Sequence, residues 1–323
     1  MRTSFDAEAF EGALRTLRDR DGFVLLTHRR PDGDTIGSAA ALCRGLRQLG
    51  KQAWLWPNPD ITPRFAGLTE GLWAPENTQA GCVAAVDVAD RALLPANAQE
   101  AFPVIDLAID HHPSFRAYAG LGLCRPEAAA CGEIVYDLLA ALGCTLTPDM
   151  ADAVYTAAAT DTGCFAFDNT TQYTHRVAAA CMAAGARWQE INYRCFRLKT
   201  RARAALEGQI YAGMTLLRDG RGAVALLEQA LLERLGATDD DCDNLASLLA
   251  QVEGVEIGAL LTEVKGGGAW KVSVRSRGHD ASRICAAFGG GGHAGAAGCT
   301  LQGLSGQAAA DAIRTALEAA LDA

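Results

Sequence analysis

Four short apolar runs, separated by helical segments, constrain the fold of this chain more than any other feature. FVLLTH (23–28), QAWLW (52–56), CVAAVDV (82–88) and FPVIDLAIDHH (102–112) are largely unbroken by polar residues, as strands buried on both faces are. TIGSAAALCRGLRQLG (35–50) reads as a helix closed by glycine, and further helices are expected at about 127–142, 148–160 and 171–185. Strands alternating with helices imply an α/β N-terminal domain built on a doubly wound parallel sheet.

Ligands of such sheets gather at the carboxyl ends of the strands. His28 closes the first run, Asp87 lies near the end of the third, and Asp110, His111 and His112 close the fourth. The loop after the first run, HRRPDGD, adds Asp32 and Asp34, with Pro31 and Gly33 shaping the turn. Imidazole and carboxylates form a hard, mixed N/O set that suits Mn²⁺ or Mg²⁺ better than Zn²⁺ or Co²⁺. Asp161, in ATDTG, completes a group of four carboxylates that would repel one another without cations. Six ligand-type residues, one of them bridging, meet the needs of two divalent ions about 3.5–4 Å apart. Taken singly, each residue has a plainer reading: a hydrogen-bonded strand-end histidine for His28, a cap or turn for Asp87 and Asp161.

The chain divides by composition into 1–190, a helical linker over 191–205, and 206–323. The linker carries five basic residues between Arg194 and Arg203, read mainly as a solvated helix face. The last part is a smaller α+β domain. GAVALLEQ, VEIGALLTEV and WKVSVRSR are expected strands; ATDDDCDNLASLLAQVEG and the Ala-rich SGQAAADAIRTALEAALDA are expected helices. The acidic run Asp239–Asp241 with Asp243 reads as charge at a helix start, where the dipole favours it. FGGGGHAGAAG (288–298) is expected to be a loop in which the backbone N–H groups of Gly289, Gly290, Gly291 and Gly292 cradle an anion beside His293. Arg275, Arg277 and Arg283 lie close by in sequence and suit bidentate phosphate contacts.

A net charge of −9, from 38 acidic and 29 basic residues, opposes a general coat for long nucleic acid but not a small nucleotide held by local cations. The N-terminal stretch has no apolar core of signal-peptide length, and no run is long enough to span a bilayer. Eleven cysteines without a C-x-x-C pair fit reduced thiols, so a cytoplasmic protein with no membrane partner is expected.

HRRPDGDTIGS, AAVDVAD, IDHHP and ATDTG resemble, in order, the four motifs of the DHH phosphoesterases. VSVRSRGHDASRICAAFGGGGHAGAAG resembles the signature of the DHH-associated C-terminal domain, so the likeness covers essentially the whole chain. Arrangement and size resemble the nanoRNase/pAp phosphatase subgroup, which degrades very short RNA to nucleoside 5′-monophosphates and dephosphorylates 3′-phosphoadenosine 5′-phosphate (pAp). Close relatives hydrolyse cyclic di-AMP or its linear products. The resemblance implies one metal held by His28, Asp32 and Asp87 and another by Asp34, Asp87, His111 and Asp161. It implies that Asp110 orients a ring and that His112 contacts the phosphate and assists the leaving group. Arg275, Arg283, His293 and the Gly289–Gly292 backbone would bind the substrate's phosphate and terminal nucleotide across a cleft between the domains. Manganese is the expected metal, with magnesium or cobalt as alternatives, and homodimerisation is left open. Arg29 and Arg30 stand where relatives often carry smaller residues. A nucleotide-binding sensor without turnover is the competing class, opposed by the presence of every expected ligand; an RNA-binding adaptor is opposed by the net charge.

Overall fold

In the computed structural model, which describes residues 4–322, the four apolar runs become β1 (Phe23–Leu26), β2 (Ala53–Leu55), β3 (Cys82–Val86) and β4 (Leu107–Asp110). A fifth strand, β5 (Leu121–Cys124), joins the β4 edge, and all five pair in parallel in the order β2-β1-β3-β4-β5. β1, β3 and β4 are buried along their whole length, which explains their unbroken apolar sequences. The sequence reading missed β5: it has four residues, one a glycine, and only Leu123 is buried. Alternate residues of β1 serve two cores. Phe23 and Leu25 pack with Leu42, Leu46 and Val154 on one face, and Val24 and Leu26 pack with Leu94, Ala98 and Phe102 on the other.

The sheet order reverses between β1 and β3. From β1 the chain steps outward to β2, then returns to build β3, β4 and β5 on the opposite side. Loops leaving β1 and β3 therefore diverge and open a crevice at the carboxyl ends of the strands.

The helix Gly33–Gln48 crosses the helix Pro148–Asp161 at close range, and glycine makes this approach attainable. A methyl group on Gly37 would lie 2.3 Å from the Ala153 carbonyl oxygen, and one on Gly33 would lie 2.4 Å from the Thr160 hydroxyl. Two glycines four residues apart thus bring the C-terminal end of the second helix to the N-terminal end of the first.

Residues up to Leu198 form one compact unit and those from Lys199 a second. The stretch 191–205 is not one helix. It contains the end of the helix Trp188–Asn192, a π-turn over Tyr193–Arg197, and the start of the helix Arg201–Gly213. Its charges are largely paired locally, Arg194 with Glu190 and both Lys199 and Arg203 with Glu207.

The second unit holds β6 (Thr215–Leu217), β7 (Gly222–Leu227), β8 (Ile257–Glu263), β9 (Ala269–Ser276), β10 (Gly291–His293) and β11 (Ala296–Gln302) in the order β10-β11-β9-β8-β7-β6. β7 and β8 pair in parallel and the rest antiparallel. The helix Gly306–Leu321 lays Ile313, Leu317 and Leu321 on the core formed by Trp270, Val272 and Val274. The helix expected over 237–254 breaks at Asn244, whose φ of 51° is left-handed, a conformation its short polar side chain tolerates. A four-residue helix, Asp239–Cys242, precedes the break with a capping box between Thr238 and Asp241, and 3₁₀ turns over Leu245–Gln251 follow it. No helix among the described residues is long and apolar enough to cross a membrane.

Candidate metal centre

The crevice beside β1 and β3 collects all six candidate metal ligands of the first unit. His28 follows β1, Asp87 follows β3, and Asp110, His111 and His112 end or follow β4. Asp32 is the N-cap of the helix Gly33–Gln48, and its Oδ1 accepts from the Asp34 and Thr35 amides. This cap fixes the carboxylate that also faces His28, whose Nε2 lies 3.6 Å from Asp32 Oδ1. Asp34 is fully buried. Its carboxylate accepts from the Ser38 hydroxyl at 2.8 Å and from the Cys131 and Gly132 amides at 2.7 and 3.0 Å. Those amides begin the helix Cys131–Ala141, whose dipole welcomes a negative charge there. Asp161 ends the helix Pro148–Asp161, where the dipole opposes a carboxylate, so local helix energetics do not account for it.

Three groups of ligand atoms form, two of them through Asp87. His28, Asp32 and Asp87 bring ligand atoms within 4.8 Å of one another, as do Asp34, His111 and Asp161, and as do Asp87, His111 and His112. Asp87 stands between the first two: Oδ2 lies 3.8 Å from His28 Nε2, and Oδ1 lies 3.6 Å from His111 Nε2. It is buried and holds a left-handed φ of 58°, a conformation that L-residues adopt at a cost and that is concentrated at functional sites.

Ring tautomers decide what the clusters suit. His111 Nδ1 lies 3.0 Å from the Ala128 carbonyl oxygen, and His28 Nδ1 lies 2.8 Å from that of Arg29. A carbonyl only accepts, so each Nδ1 carries the proton, and in the neutral ring Nε2 presents a bare lone pair. At His111 that lone pair faces carboxylate oxygens of Asp161, Asp87 and Asp34 at 3.3, 3.6 and 3.6 Å. Lone pair against carboxylate is repulsive, and a cation at the centre converts the repulsion into coordination. Buried Asp87 Oδ1 and His111 Nε2 have no hydrogen-bond partner, as expected of atoms reserved for an ion.

The titration behaviour agrees. Burial first, and then the charges of neighbouring carboxylates, push Asp34 and Asp87 well above the ordinary carboxylate range. Asp161 is raised by burial, with His111 opposing. Burial works against a charged His28, yet the hydrogen bond and charge of Asp32 outweigh it and raise the group. Without cations this cluster resists carrying its full negative charge; with them it need not.

Buried Asp110 accepts from the His112 amide and from His112 Nδ1, the latter at 2.9 Å. This hydrogen bond raises the His112 imidazole above its usual range against a smaller opposing effect of burial. His112 is nearly half exposed, the open member of the group.

In the second unit, Arg275 on β9, Ala296 on β11 and His293 on β10 occupy one row of the sheet register. They share a face, and the small Ala296 alone separates arginine from histidine. Arg283 is exposed on the helix Ala281–Ala286. The glycine run departs from the expected free loop. The Gly289 and Gly290 amides donate to Ala286 and Cys285 carbonyls at the end of that helix, so they are already used, and Gly291 and Gly292 belong to β10. Two of its glycines serve close packing: a methyl on Gly290 would strike Gly298 O at 2.2 Å, and one on Gly292, at φ 147°, would strike Ala296 O.

Supporting residues escaped the sequence reading. Asn58 donates to the Thr27 hydroxyl and the His28 carbonyl, fixing the end of β1. Nothing in the local sequence marks it, because it acts across 30 residues. Ser38, four residues beyond Asp34 on one helix face, was within reach of helical periodicity.

Residues 23–158 match the DHH family, N-terminal domain, and residues 221–323 match the DHHA1 domain. A Thermus thermophilus protein named bifunctional oligoribonuclease and PAP phosphatase NrnA is 35% identical over 283 residues, 87% of this chain and 84% of its own. The chain belongs to the DHH family. It is thus a phosphoesterase by membership. A Bacillus subtilis DHH relative of the same name is 26% identical over 293 residues, covering 89% of this chain and 92% of that one. The fold is shared with an exopolyphosphatase-related protein from Bacteroides fragilis, at a TM-score of 0.85 and 20% identity over 97% of this chain and 96% of the other.

Proposed function

We propose that this DHH-family chain hydrolyses short oligoribonucleotides to nucleoside 5′-monophosphates and removes the 3′-phosphate of pAp to leave AMP. The observation that carries the reading is Asp87, which presents one carboxylate oxygen to each of two N/O clusters. The names of the Thermus and Bacillus relatives supply the substrate class.

In this reading His28, Asp32 and Asp87 hold one divalent ion, and Asp34, Asp87, His111 and Asp161 hold a second. Manganese is preferred by the oxygen-rich set, with magnesium or cobalt as substitutes. Bound cations supply charge neutralisation for the phosphoryl group and activation of the attacking water. The rest falls to the chain. Asp110 fixes the His112 ring with Nδ1 toward itself and Nε2 outward, and it favours the protonated ring. His112 Nε2 then holds a proton for the departing oxygen. Arg275, Arg283, His293 and the backbone of Gly291 and Gly292 bind the substrate's phosphate and terminal nucleotide through charge-assisted hydrogen bonds. All eleven cysteines are free thiols, which supports a reducing, cytoplasmic setting.

The test is one purified sample assayed with Mn²⁺ against dinucleotides, pAp, linear and cyclic di-AMP, pyrophosphate and long RNA. Dinucleotides and pAp should be turned over and long RNA should be a poor substrate. Exclusive use of pyrophosphate or of cyclic di-AMP, or equal rates on long chains, would refute the assignment.

A further inference from the structure

The segment just after Asp161 has an unusual backbone and an unusual side chain, and neither is needed for the ligand set. Gly163, Cys164 and Phe165 take successive left-handed φ values of 56°, 59° and 65°. L-residues avoid this region, and three in a row reverse the chain tightly. Ala166 and Phe167 amides both return to the Thr162 carbonyl, and the Asn169 side-chain amide spans the Asp161 and Ala129 carbonyls at 3.1 Å each. Ala129 adjoins Ala128, whose carbonyl receives His111 Nδ1, so the turn is tied to the wall that orients a candidate ligand.

The turn displays Phe167. One face of its ring lies on Gly163, where a methyl group would meet ring carbons at 2.4 Å, yet the residue is 56% exposed. A phenyl ring backed by Gly163 on one side and open on the other, on the turn that directly follows Asp161, is a poor surface for a bare anion. It is a good one for a flat, neutral, polarisable group.

We infer that Phe167 is a nucleobase platform: the base of a nucleotide whose phosphate occupies the metal centre stacks on the open face of its ring. This rests on the proposed nucleotide substrate and adds to it a contact to the base. Stacking tolerates any base, because every base has a π-face, and this suits an enzyme for short RNA of any sequence.

The experiment separates base from phosphate. Equilibrium dissociation constants for AMP and for ribose 5-phosphate, which lacks only the base, are measured by calorimetry on the full chain with Mn²⁺, for wild type, Phe167→Ala and Phe167→Trp. Wild type should bind AMP at least about tenfold more tightly than ribose 5-phosphate. Phe167→Ala should bring AMP to within roughly twofold of ribose 5-phosphate without changing the latter, and Phe167→Trp should keep the gap. A gap that persists in Phe167→Ala, an equal weakening of both ligands, or no gap in wild type overturns the inference. Hydrolysis of pAp and dinucleotides on the same samples reports separately on the proposed function: wild type inert toward them, with the binding pattern intact, condemns the substrate assignment and leaves the platform standing. Far-UV circular dichroism and an unchanged thermal midpoint confirm that the exposed substitution leaves the fold in place.

Discussion

Replacing Asp87 by Asn should move stability in opposite directions with and without metal. Asp87 is buried among Asp34, Asp32, Asp110 and Asp161, and burial and those charges disfavour its ionised form. In chelator, the neutral amide removes that burden, so the variant should equal or exceed wild type in stability. With metal the order reverses. An ion present at about a hundredfold its dissociation constant stabilises wild type by about 2.7 kcal/mol, or roughly 5–10 °C for a unit of this size. Asn retains only one oxygen, so it cannot face both His28 and His111 as the carboxylate does. It should lose most of that shift, part of its bound metal, and at least about a hundredfold in turnover. Thermal denaturation with Mn²⁺ and with chelator, metal analysis by mass spectrometry, and hydrolysis of a dinucleotide together read all three. A variant that keeps a wild-type metal-induced shift and more than about a hundredth of the activity would refute the shared-carboxylate reasoning.

Gly37→Ala should destabilise the protein by about 1–3 kcal/mol, because the new methyl meets the Ala153 carbonyl, and should weaken metal binding by moving Asp161 away; chemical denaturation and metal titration check both. Arg275→Ala or His293→Ala should raise KM for pAp by about tenfold or more while leaving metal content unchanged, and loss of metal instead would show that the second unit has been misassigned. Glu256 is paired with Arg221 and His279, which hold its carboxyl down at about 2. A depressed carboxyl contributes stability above its unfolded value of 4.5 and loses it as pH falls toward about 2. The gap in thermal midpoint between wild type and Glu256→Gln should therefore be present at neutral pH and close between those values.

The sequence by itself determined the parallel sheet, because β1, β3 and β4 are buried on both faces and their apolar letters say so. It also determined which side chains stand at the strand ends, since His28, Asp87 and Asp110 follow directly from where the runs stop. Some strands were beyond it: β5 is barely buried, and the three exposed residues of β10, two of them glycine, carry no periodic apolar signal, whereas β11 alternates Ala297, Cys299 and Leu301 inward but begins within a glycine- and alanine-rich run that reads as a loop. The break at Asn244 was equally hidden, because asparagine tolerates a left-handed φ without requiring it, so its letter alone does not end a helix. What only the tertiary structure decided is proximity. Asp34 reaches the amides of Cys131 and Gly132, His111 meets Asp161 fifty residues away, and Asp87 divides its two oxygens between histidines. Those meetings depend on helix crossings set by Gly33 and Gly37 and on the reversal of strand order between β1 and β3. They are relations among distant segments, and no local pattern of letters encodes them.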